Sequence, residues 1–73
     1  MTRNIDIKTE EQVGRINRLA CEAPYEVWLS TDTVMLDARS LLGLYALVGQ
    51  RAKVVTEDDV DPKMVSRLVE KMS

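Results

Sequence analysis

Hydrophobic and polar residues change period several times along this chain, and each change marks an element. Ile5 and Ile7 alternate with Asp6 and Lys8, the two-residue period of a strand with one buried face. The period then lengthens: Val13, Ile16, Leu19, Ala20 and Ala23 fall on one stripe of a helix. Thr9 is the predicted cap of that helix, with Gln12 reaching back to the Thr9 amide in a capping box. Glu10 and Glu11 occupy the first turn, where carboxylates suit the positive end of the helix dipole, and Pro24 stops the helix.

From Tyr25 to Ser30 the chain is rich in aromatic and β-branched residues and reads as a second strand. Tyr25, Val27 and Leu29 share one face of it and Trp28 takes the other. After a short turn at Thr31-Asp32-Thr33, the residues Val34, Met35 and Leu36 return as a third strand. Ser40 is placed to cap a second helix, Leu41 to Val48, which is apolar nearly all round and ends at Gly49. Ala52, Val54 and Thr56 alternate with Lys53 and Val55 as a fourth strand, and Glu57-Asp58-Asp59 forms a loop. Asp61 before Pro62 starts the last helix, whose stripe is Met64, Val65, Leu68, Val69 and Met72. The order is βαββαβα: an α+β fold with helices segregated over a mainly antiparallel sheet, in one domain spanning residues 1–73.

Composition narrows the function classes. A chain of 73 residues has room for one core, and buries only about 60% of the surface of its unfolded form. The net charge of -2, with ten scattered basic residues and no aromatic interleaving, argues against nucleic acid or an anionic membrane as partner. The single Cys21 forbids an internal disulfide and suits a reducing compartment, with its thiol expected to be buried or half-buried and inert. The amino end lacks the apolar core of a signal peptide, and no apolar run reaches the ~18 residues of a membrane span, so a cytoplasmic location is expected. With no histidine and one thiol, zinc or haem ligation has no donor set, and no cofactor is expected. Glu57, Asp58, Asp59 and Asp61 lack the spacing and glycine of a calcium loop. No nucleotide-binding glycine motif is present, and no nucleophile has a base beside it, so the chain is not expected to be an enzyme.

The stretch Leu36-Asp37-Ala38-Arg39-Ser40-Leu41-Leu42-Gly43-Leu44 resembles the entry to the second helix of the HPr phosphocarrier family. There a basic residue, serine, two apolar residues and glycine precede an apolar helix. A weaker likeness covers Ile16 to Val27. The resemblance implies an open-faced β-sandwich, a four-stranded antiparallel sheet with three helices on one face. It also implies a phosphate relay through a histidine at the first helix's amino end, beside an arginine. In this chain Thr9, Glu10, Glu11 and Gln12 align with that site, and the loop before them is shortened to Lys8. Carboxylates in place of an arginine repel a phosphate, so the expectation is an HPr-like protein without phosphohistidine transfer.

Two features remain as functional candidates. In the family the serine matching Ser40 is in many members a regulatory phosphorylation site that favours docking onto a transcriptional regulator. A histidine-free relative, Crh, keeps that serine, so the resemblance offers a Crh-like regulator of carbon catabolite repression as an alternative, with Arg39 beside the phosphate. The plainer reading of Ser40 is a helix cap. The family also docks partner proteins on its first and second helices. Leu41, Leu44, Tyr45 and Val48 are the expected apolar patch, Arg15 and Arg18 its polar rim, and Leu42, Ala46 and Leu47 the side packed on the sheet. The expected partner is therefore a protein, a regulator or a kinase among the possibilities. A ferredoxin-like small-molecule sensor is a further alternative, and it calls for a different strand order.

Overall fold

A computed structural model describes residues 1–73. Its elements run β1 (Thr2–Ile7), α1 (Glu10–Glu22), β2 (Trp28–Ser30), β3 (Met35–Asp37), α2 (Leu41–Tyr45), β4 (Gln50–Val55) and α3 (Pro62–Met72). The four strands form one sheet in the order β1-β4-β2-β3, with every neighbouring pair antiparallel. The three helices cover one face and leave the other open. This is the architecture the HPr resemblance implies, and its strand order is not the ferredoxin-like one. No helix is long and apolar enough to cross a membrane.

The core lies between sheet and helices. Ile5 and Ile7 of β1, Leu29 of β2 and Ala52 and Val54 of β4 meet Val13, Ile16 and Ala20 of α1, Leu44 of α2, and Leu68 and Met72 of α3. Each fully buried aliphatic side chain is worth about 1.5–3 kcal/mol relative to exposure. The helix ends follow their capping residues. Thr9 is extended at φ -139°, and its Oγ1 accepts from the Gln12 amide at 3.1 Å. The Asp61 carboxylate accepts from the Lys63 amide at 2.9 Å, with Pro62 in the first turn. Gly49 closes the α2 segment at φ +87°, a left-handed conformation that strains a residue with a Cβ, and its amide donates to the Ile7 carbonyl at 2.7 Å. That bond ties the end of α2 to the end of β1.

Several sequence expectations are corrected. The second strand pairs only over Trp28–Ser30, because the chain spends Tyr25 to Val27 crossing from the helix layer to the sheet; Val27 is nonetheless buried. The second helix ends at Tyr45 instead of Val48. Beyond it, the amides of Leu47 and Val48 donate three residues back, to Leu44 and Tyr45, so the chain tightens into successive turns. Met64 is 42% exposed on α3 and lies outside that helix's inward stripe. Cys21 is exposed, because Ala20 takes the inward position beside it.

Candidate functional site

The amino end of α1 is closed by the chain's own groups. Only Lys8 and Thr9 connect β1 to α1, so the end of the strand lies against the helix's first turn. Gln12, only 5% exposed, occupies that junction: its Oε1 accepts from the Lys8 amide at 2.9 Å and its Nε2 donates to the Asp6 carbonyl at 2.8 Å. The sequence pattern predicts a bond to the Thr9 amide. The short connection instead presents strand backbone, and Gln12 satisfies that. Glu10 and Glu11 are exposed in the first turn. Thr9, Glu10, Glu11 and Gln12 thus make a helix cap that carries two exposed carboxylates in its first turn and no cationic side chain.

Ser40 precedes α2 with an exposed side chain that makes no capping hydrogen bond. The plain cap reading is therefore incomplete, since the hydroxyl leaves the helix amides alone. Arg39 beside it is already engaged. Its guanidinium donates to both Asp37 carboxylate oxygens, at 3.2 and 2.9 Å, and to Glu26 Oε2 at 2.7 Å, while its amide donates to Asp37 Oδ1. The side-chain hydrogen bonds from Arg39, joined by the one from its amide, hold the Asp37 carboxyl below the usual carboxylate value. The same bonds push the Arg39 guanidinium further up. Arg39 is a strut between β3 and the α1–β2 connection, not a free phosphate ligand.

The docking residues expected on α2 separate. Leu44 is fully buried in the core, so it belongs to no exposed surface, and Val48 is half-buried against that core. Leu41 and Tyr45 are exposed at 39% and 42%, and Leu42, expected on the sheet side, is 85% exposed. Ala46 is exposed too, while Leu47 packs inward as expected. The signal that orients α2 is Gly43. A Cβ there would lie 3.3 Å from Leu36 Cδ1, so the glycine marks the side of closest approach to the body of the protein. With Gly43, Leu44 and Leu47 turned in, Leu42 is turned out.

The expected rim also divides. Arg15 lies on the α3 flank of α1, where its Nη2 donates to the Ser73 carbonyl at 2.9 Å, so it does not border α2. Asn17 holds the α2 flank, its amide donating to the Ala38 carbonyl at 3.2 Å. Arg18 is exposed on the outer ridge of α1. Of the exposed large hydrophobic residues, Leu41, Leu42 and Tyr45 belong to α2, while Met35 of β3 pairs with Ser30 and lies on the open face of the sheet.

Comparison with known proteins agrees on the fold. The crystal structure of HPr-C-His from Thermoanaerobacter tengcongensis matches with a TM-score of 0.76 at 20% identity, covering 99% of this chain and 90% of that one. The chain thus has the HPr-like fold over its whole length. No protein-family model matches the sequence, and no curated protein is recognisably similar to it.

Proposed function

We propose that this chain is an HPr-like module that has no phosphohistidine chemistry and works in the cytoplasm through contacts with a protein partner. In this reading it is a regulatory component related to the sugar phosphotransferase system, not a relay within it and not an enzyme. The observation that carries the reading is the amino end of α1. No histidine exists in the chain to take a phosphate. Glu10 and Glu11 add negative charge where a transferred phosphate would need donors, and Gln12 is locked between Lys8 and Asp6. Support for a contact role comes from α2, where Leu41, Leu42 and Tyr45 are exposed within one short helix.

Incubation with the enzyme that charges HPr should leave the chain unlabelled. Acid-labile phosphate on it would overturn the loss of relay function. The contact surface is tested with Leu42→Asp, because this exposed side chain leaves the core untouched. Partner recovery should fall while the thermal midpoint holds; equal recovery by both proteins would remove α2 as the docking surface.

A second reading rests on one observation, the exposed and unspent hydroxyl of Ser40. In it, Ser40 is a phosphorylation switch of the Crh kind. The new phosphate would stand beside Arg39 and compete with Asp37 and Glu26 for its guanidinium. Treatment with ATP and an HPr-type kinase followed by mass spectrometry decides it, and an unmodified Ser40 rejects it.

A further inference from the structure

On the side of the molecule away from α2, a groove runs along α3 and changes charge from one end to the other. It joins a basin of about 830 Å³ at the start of α3 to one of about 290 Å³ between α1 and α3. Ala23, Pro24, Tyr25 and Met64 line both basins, so the middle of the groove is apolar, with Met64 42% exposed on its floor. Glu57, Asp59 and Asp61 stand at one end. Glu26 and Arg39 lie there too, already spent on each other. Arg67 and Lys71 stand at the opposite end, with Glu22 as the one carboxylate among them. The protein's own salt bridges leave out all six of Glu22, Glu57, Asp59, Asp61, Arg67 and Lys71.

We propose that this groove is an interface for a second copy of the chain, related by a twofold axis through Met64. A surface that is acidic at one end and basic at the other is matched by itself when turned end for end, which is what a twofold contact requires. The spacing along α3 fits that operation. Asp61 and Arg67 lie three residues to either side of Met64, about 4.5 Å along the helix axis and on opposite flanks of it. The rotation therefore sets each Arg67 against the second copy's Asp61, and each Lys71 toward the second copy's Glu57. The residue on the axis meets its own counterpart, and Met64 is apolar and pliable enough to do so without a penalty of like charges. A stable pair buries about 800 Å² on each partner, a large share of a chain with 4550 Å² of surface in all. A single groove gives a weaker pair, formed at high protein concentration and loosened by salt.

The test is sedimentation equilibrium of the full chain at concentrations up to about 1 mM, in low and in high salt. The average mass should rise from that of the monomer toward that of the dimer, and less so in high salt. Met64→Asp puts two like charges together on the axis and should weaken association at least tenfold. Leu42→Asp makes the same change of charge on α2 and should associate like the parent, which keeps this result separate from any docking role of α2. Lys71→Glu and Glu57→Lys should each weaken association severalfold. An equimolar mixture of those two should recover the parent affinity, because unlike charges then face each other again. Met64, Lys71 and Glu57 are exposed, so the variants should keep the parent thermal midpoint. A chain that stays monomeric throughout, association that survives Met64→Asp, a mixture that fails to recover, or equal loss in Leu42→Asp would overturn the proposal.

Discussion

Two buried polar side chains show how much a single partner matters in so small a protein. Gln12 and Thr56 are both nearly inaccessible, at 5% and 3% exposure. Gln12 makes two bonds to strand backbone and so completes the edge of β1 where no fifth strand exists. Gln12→Ala leaves the Lys8 amide and the Asp6 carbonyl unpaired, and should cost about 1–3 kcal/mol of stability. Thr56 is the opposite case, because its Oγ1 is buried without a partner. Thr56→Val exchanges that hydroxyl for a methyl of nearly the same shape and should stabilise by about 1 kcal/mol, raising the thermal midpoint by roughly 4–8 °C. Denaturant titration of the two variants beside the parent checks both signs, and a destabilised Thr56→Val would mean that the hydroxyl has a partner after all.

Among the elements, α2 is the one whose orientation sets the reading of function. Five residues of helix cannot stand alone; packing holds them, through Leu44 beneath and the Gly49 turn behind. Leu44→Ala should therefore cost about 2–5 kcal/mol, the range for truncating a buried leucine, and in a domain of this size that threatens folding itself. Leu42→Ala, two residues earlier, should stay within about 0.5 kcal/mol of the parent. Thermal unfolding of the pair tests which side of α2 faces out: similar losses for both would mean that Leu42 is covered. The same contrast explains why a charged substitution at Leu44 is a poor probe of docking, since any loss of partner would follow from loss of fold.

For the molecule as a whole, pH acts through two groups at opposite ends of the range. Asp37 has its folded value depressed below 3.8 by Arg39, so its contribution is complete above 3.8 and is lost as pH falls through the lower folded value. Tyr25 has its phenol raised above 10.0 by burial, so its contribution holds below pH 10 and is lost as pH rises through the higher folded value. Stability should decline at both extremes for these reasons, and no histidine is present to add a step across neutral pH. Asp37→Asn should flatten the acid limb and Tyr25→Phe the alkaline one, measured as thermal midpoints from pH 2 to 11. An unchanged acid limb in Asp37→Asn would show that the Asp37–Arg39–Glu26 web contributes nothing to folding.

The amino-acid order alone was enough for whatever depends on near neighbours. The alternation at Ile5 and Ile7, the stripe from Val13 to Ala23, the caps at Thr9 and Asp61 and the left-handed turn at Gly49 are local matters, settled by side-chain period, a hydroxyl or carboxylate within three residues, and a missing Cβ. The lack of an imidazole was equally plain there. Other properties needed the folded chain because they depend on residues far apart in sequence. A helix apolar nearly all round has no inward side of its own; Leu36, seven residues before Gly43, fixed the phase of α2 and so put Leu44 in the core and Leu42 in water. Arg15 was drawn to Ser73, Arg39 to Glu26, and Gln12 to the end of a neighbouring strand. Lys53 met Asn4 and Ser30 only when β4 entered the sheet between β1 and β2. Long side chains and free surfaces take their roles from whatever the fold brings beside them.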